Sequence, residues 1–116
     1  MANSYVCNRD IFQHIYRLEK RRSGRRRYYS YLTQIKLEER KDNNIKKASQ
    51  GIEEILSERL RSGDVVCKWN NNHFVLILNN VDDNGVSKVM KRIRDHFFKN
   101  INEPGIDLTI QYLPIT

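Results

Sequence analysis

The chain has 116 residues, of which 39% are hydrophobic and 30% charged, and a formal net charge of +7. That length suits one domain over residues 1–116 with a single core, and no run approaches the roughly eighteen apolar residues of a membrane span. The opening MANSYVCNRD holds no apolar signal-peptide core, and Cys7 and Cys67, outside any CxxC pair, read as reduced thiols of a cytoplasmic protein.

A first helix is expected from Asn8 to Ser23, with Asn8 as cap, an apolar stripe of Ile11, Ile15 and Leu18, and Gly24 at its end. Its far end opens a basic run of Lys20, Arg21, Arg22, Arg25, Arg26 and Arg27. Such a run attracts nucleic acid, anionic lipid or an acidic partner surface. The plainer reading is a solvated helix end whose cations oppose the helix dipole. Tyr28, Tyr29 and Tyr31 follow, suited to stacking on bases or simply to a strand. No nucleic-acid-binding motif accompanies them.

A strand is expected from Tyr28 to Leu37, then a helix from Ile45 to Ser62 with the stripe Ile45, Ala48, Ile52, Ile55, Leu56 and Leu60. Val65, Cys67 and Trp69 next alternate with Val66 and Lys68, as in a half-buried strand. Phe74, Leu76 and Leu78 alternate with Val75 and Ile77, giving a strand apolar on both faces. Asn70, Asn71, Asn72 and His73 lie between them, and asparagine tolerates the positive φ of tight hairpin turns. After Asp82-Asp83-Asn84-Gly85, the residues Val86, Val89, Met90, Ile93 and Phe97 make the buried face of a third helix. A turn over Asn102–Gly105 leads to a last strand through Ile106, Leu108, Ile110 and Tyr112, ended by Leu113-Pro114.

This order is an α+β fold: a ferredoxin-like or palm βαββαβ antiparallel sheet with helices on one face, preceded by an N-terminal helix. Its first and third strands are antiparallel neighbours, so the end of the first lies beside the hairpin turn.

Arg61, Gly63, Asp64, Lys68 and Phe74 fall on the frame R-x-G-D-x-x-x-R-x-G-G-D/E-E-F. In this the chain resembles the GGDEF domain, the diguanylate cyclase module of bacterial signalling. Asn8-Arg9 and Phe12 resemble the family's N-R-x-x-F helix start, and Leu108-Thr109-Ile110-Gln111 is similar to its T-x-S-x-G strand. Gln34-Ile35-Lys36 stands where the family has D-x-D. The segment from Lys36 to Ala48 is shorter than the family's, and the chain stops before an A-D-x-A-L-Y helix, so an excised or shortened member is expected.

The resemblance implies a cyclase joining two GTP molecules, with metal ions held by carboxylates at the first-strand end and the hairpin turn. The matching Gln34, Lys36, Asn72 and His73 include no carboxylate, and Asn70 and Asn71 replace two glycines. His14 and His96 lie on other helices and complete no zinc set with His73. The expectation is therefore no catalytic residues, no metal, no cofactor and no enzyme. The resemblance also implies a cyclic di-GMP site at Arg61 and Asp64, joined by Arg92 of the following helix with Arg94 as substitute. The plainer reading is a helix-end cation and a turn aspartate. The function expected is a non-catalytic signalling module that acts by dimerisation or contact with a protein partner, with cyclic di-GMP as candidate ligand. The alternative is a basic ferredoxin-like domain that binds nucleic acid through the cluster at residues 20–27.

Overall fold

The near-continuous apolar run Phe74–Leu78 forms most of β4 (His73–Asn79), which lies at the middle of a five-stranded sheet because both its faces are covered. The computed structural model describes residues 5–23, 29–39, 45–101 and 105–116. The other elements are β1 (Tyr5–Cys7), α1 (Arg9–Ser23), β2 (Ser30–Glu39), α2 (Ile45–Arg59), β3 (Val65–Asn70), α3 (Asp83–Asn100) and β5 (Ile106–Pro114). The sheet runs β1-β3-β4-β2-β5. β2 is antiparallel to β4 and β5, and β3 to β4, which is the expected βαββαβ arrangement. β1 is an addition: it pairs parallel with β3 and makes the sheet mixed.

Alternation along the strands divides two cores. Phe74, Leu76 and Leu78 of β4, with Ile35 and Leu37 of β2, pack against Ile52, Ile55 and Leu56 of α2 and Val86, Met90, Ile93 and Phe97 of α3. Val75 and Ile77 of β4, with Val65 and Cys67 of β3, face the other way onto Phe12 of α1. α2 and α3 thus share one face, as expected of the βαββαβ unit, and the preceding α1, to which no face was assigned, covers the opposite one. Its buried stripe is rotated from the expected one. Ile11 and Leu18 are exposed, while Phe12, Ile15, Tyr16 and Glu19 turn to the sheet. Glu19 is tolerated there because Ser30 Oγ donates to it at 3.2 Å and Arg22 lies 3.4 Å away.

Asn8 caps α1, its side-chain oxygen accepting from Ile11 N at 2.9 Å. Asp82 caps α3, accepting from Gly85 N at 2.7 Å. In α2, Gly51 faces Ile101: a β-carbon there would stand 2.4 Å from Ile101 Cδ1, so the glycine lets the end of α3 lie close.

The hairpin is tighter than expected. Asn70 and His73 are already paired, so only Asn71 and Asn72 turn. Among the described non-glycine residues positive φ occurs at Asn80 alone, after β4, and not in this turn. A ladder irregularity between Lys68 and Asn70 and a hydrogen bond from Asn72 N to Asn70 Oδ1 (3.1 Å) shape it instead. Gly24, Arg25, Arg26, Arg27, Tyr28 and residues 102–104 lie outside the described residues, whereas Lys20, Arg21 and Arg22 occupy the last turn of α1.

Candidate functional site

The pairing of β2 with β4 sets Lys36 opposite His73 and Gln34 opposite Val75. Beyond that ladder Leu37 N donates to Asn72 O at 2.8 Å, fastening the end of β2 to the hairpin turn. The sequence-predicted meeting of strand end and turn is therefore present. Gln34, Lys36 and His73 share the face that carries α1. His73 Nε2 lies 3.1 Å from Gln34 Oε1, a hydrogen bond when that nitrogen carries the proton. Burial first, then the charges of Lys36 and Arg9, lower the His73 pKa and so favour its neutral ring.

An open groove of about 290 Å³ runs from this pair along α1, lined by Phe12, Tyr16, Leu32, Trp69 and Val75 beside Gln34 and His73. Arg9 holds one of these lining residues, Trp69. Its Nε donates to Trp69 O at 2.8 Å, its Nη2 bonds the same oxygen, and its guanidinium lies 4.8 Å from the centre of the Trp69 ring. Arg9 and Trp69 are sixty residues apart, and no periodicity signals their meeting. The N-R pair that opens α1 was the one visible sign.

The second set of predicted residues divides. Asp64 is only 2% exposed, and its carboxylate is used inside the protein. It accepts from Arg61 N at 2.8 Å and from Asn79 N at 3.2 Å, which ends α2 at Arg59, short of the expected Ser62, and ties the next turn to β4. Arg61 Nη2 is 3.6 Å from the same carboxylate and also donates to Asn79 O, yet more than half of its side chain remains exposed. Arg92 lines a cleft of about 260 Å³ between α2 and α3 together with Arg59, Asp95, His96, Lys99 and Asn100. Arg61 and Asp64 are not among its lining residues. Arg94 is turned towards β5, donating to Leu108 O at 3.1 Å.

Over residues 6–111 the chain matches the family model of the diguanylate cyclase GGDEF domain. The chain belongs to the GGDEF family. Solved structures with its fold include a DGC protein from Thermotoga maritima, with TM-score 0.77 and 23% identity over 97% of this chain and 82% of that one. Another is the diguanylate cyclase SiaD of Pseudomonas aeruginosa, solved with its activator SiaC, with TM-score 0.70 and 17% identity over 92% of this chain and 46% of that one. The isolated GGDEF domain of TpbB from Pseudomonas aeruginosa gives TM-score 0.67 and 16% identity over 92% and 70%. At these identities the likeness is one of fold. No curated protein matches the chain.

The family match corrects the expectation that the chain is no enzyme, since the matching family is that of the diguanylate cyclases. It also leaves the nucleic-acid alternative without support. Cyclase chemistry implies hard divalent cations, which prefer anionic oxygens. The groups gathered beside the turn, an amide, an imidazole and the cations Lys36 and Arg9, do not fit such an ion. Among the described residues no three His, Cys, Asp or Glu side chains are grouped to hold a metal. None of the described helices is long and apolar enough to cross a membrane.

Proposed function

We propose that this GGDEF domain works in cyclic di-GMP signalling, taking up the dinucleotide through Arg61 and Arg92 and passing on the bound state by contact with a protein partner or a second copy of itself. The observation that carries this is the cleft between α2 and α3, where the cations Arg59, Arg92 and Lys99 outnumber the single carboxylate Asp95 around about 260 Å³ of open space, with Arg61 outside its lining. Guanidinium forks give bidentate contacts to guanine edges and phosphate oxygens. The Arg61 guanidinium is steadied by its own Nη2, which donates to Asn79 O and lies 3.6 Å from the Asp64 carboxylate, while more than half of the side chain stays exposed, so little conformational freedom is lost on binding. Asp64 serves this reading as the residue that positions Arg61. Contact with a partner is supported by SiaD, a diguanylate cyclase of this fold that was solved with its activator.

Calorimetric titration with cyclic di-GMP tests the proposal. Saturable binding is expected, weakened about tenfold or more by Arg61→Ala and by Arg92→Ala, since a charge-assisted contact contributes about 1.5–3 kcal/mol. No heat at high micromolar dinucleotide, or affinity untouched by both substitutions, would sink it.

A further inference from the structure

Cys7 and Cys67 are far apart in sequence, but parallel pairing of β1 with β3 sets them directly opposite one another. Directly paired residues of neighbouring strands point to the same face of a sheet. Both thiols do so here: Cys67 is buried in the core beneath α1, and the partly exposed Cys7 packs against that core. Adjacent strands lie about 4.8 Å apart, inside the roughly 4.4–6.8 Å range that a disulfide allows between α-carbons. β1 has only three residues and forms the edge of the sheet, so it can adjust its side-chain spacing without disturbing the interior.

We propose that Cys7 and Cys67 form a reversible intramolecular disulfide by exchange with a low-molecular-weight disulfide. Cys7, on the accessible edge, enters first. Its thiolate attacks one sulfur of the reagent, forms a mixed disulfide and expels one reagent thiolate, which takes up a proton. Cys67 then loses its proton and attacks the Cys7 sulfur. The Cys7–reagent bond breaks and the second reagent thiol leaves. Two protein thiols are oxidised and one reagent disulfide is reduced to two thiols, so no further reactant is needed.

Two features set the rate. Burial raises the pKa of both thiols, and at Cys7 the neighbouring Cys67 sulfur raises it further. Exchange is therefore slow near neutrality and accelerates as pH rises towards the thiol range. Arg9 opposes this at Cys67, where its positive charge favours the thiolate that must attack in the second step. The product pins β1 to β3 immediately before α1, whose first residue is the same Arg9 that grips Trp69.

The test is incubation of the reduced full chain with excess oxidised glutathione at alkaline pH, followed by thiol titration after unfolding and by peptide mapping. Both thiols are expected to disappear together into one Cys7–Cys67 peptide pair, in a monomer, restored by dithiothreitol. The oxidised chain should also melt at least about 5 °C higher, as a closed loop of this length constrains the unfolded state. Cys7→Ser, a change at the tolerant edge, should leave Cys67 unmodified for as long as the protein stays folded. A glutathione adduct that persists on Cys7 beside a free Cys67, survival of both thiols, or disulfide-linked dimers would each overturn the proposal.

Discussion

The carboxylate of Asp64 accepts the backbone NH of Asn79, fifteen residues away, at 3.2 Å while accepting that of Arg61 at 2.8 Å. One buried side chain thereby fixes where α2 ends and where β4 leaves the sheet. The R-x-G-D segment is thus part of the scaffold as well as a carrier of an exposed arginine.

This gives Arg61 and Asp64 separable effects. Asp64→Ala strands two backbone donors in the interior and should cost roughly 2–4 kcal/mol in urea unfolding. Arg61→Ala, at a largely exposed side chain, should cost about 1 kcal/mol or less while weakening cyclic di-GMP binding. Equal losses of stability from the two substitutions would contradict the scaffold role of Asp64.

His73 makes stability depend on acidity. Its folded pKa lies below the ordinary 6.5, so the unfolded chain takes up the proton first as pH falls. The stabilisation is complete above about pH 6.5 and is lost as pH drops through the lower folded value. His73→Gln should flatten the fall in melting temperature on going from about pH 7 to pH 5. An unchanged profile would place the titrating group elsewhere.

Arg9 holds the chain's single tryptophan through the carbonyl oxygen and the ring face of Trp69. Arg9→Ala should cost about 1 kcal/mol and shift the tryptophan emission to longer wavelength as water reaches the groove. Because Trp69 reports alone, the fluorescence assigns the change without ambiguity. A spectrum identical to that of the parent would argue against the contact.

Thr33 Oγ1 is fully buried with no hydrogen-bond partner, on the face of β2 that meets α2 and α3. Thr33→Val keeps the shape and removes the unsatisfied oxygen. A gain of about 1 kcal/mol is expected, seen as a rise of a few degrees in melting temperature. A loss would show that the hydroxyl has a partner in solution.

Period and burial agree wherever one element packs on one face. The stripes of α2 and α3 and the two-faced β4 were legible because each apolar residue there enters a core. The register of strand end against turn followed from topology. α1 was misread because Ile11 and Leu18 have helical spacing but face solvent, whereas the buried side mixes Phe12 and Tyr16 with Glu19, a charge satisfied by Arg22 of its own helix and by Ser30 of the next strand. β1 has three residues, too few to show a period, and exists through its pairing with β3. The inward use of Asp64 depends on Asn79 arriving from β4, which local pattern does not encode. At the candidate site the residue types were read, but the grip of Arg9 on Trp69 was not, being a contact between distant segments.

β5 pairs with β2 along its whole length, although some seventy residues separate them in the chain, and β2 lies between β5 and the central β4. During synthesis β2 emerges early and must wait with one edge open while two helices and a hairpin follow it. Loop closure over such a span is slow, and an open strand edge invites pairing with other nascent chains. Until residues 106–114 have been made, β2 therefore keeps one edge unpaired, and β5 is the strand that covers it.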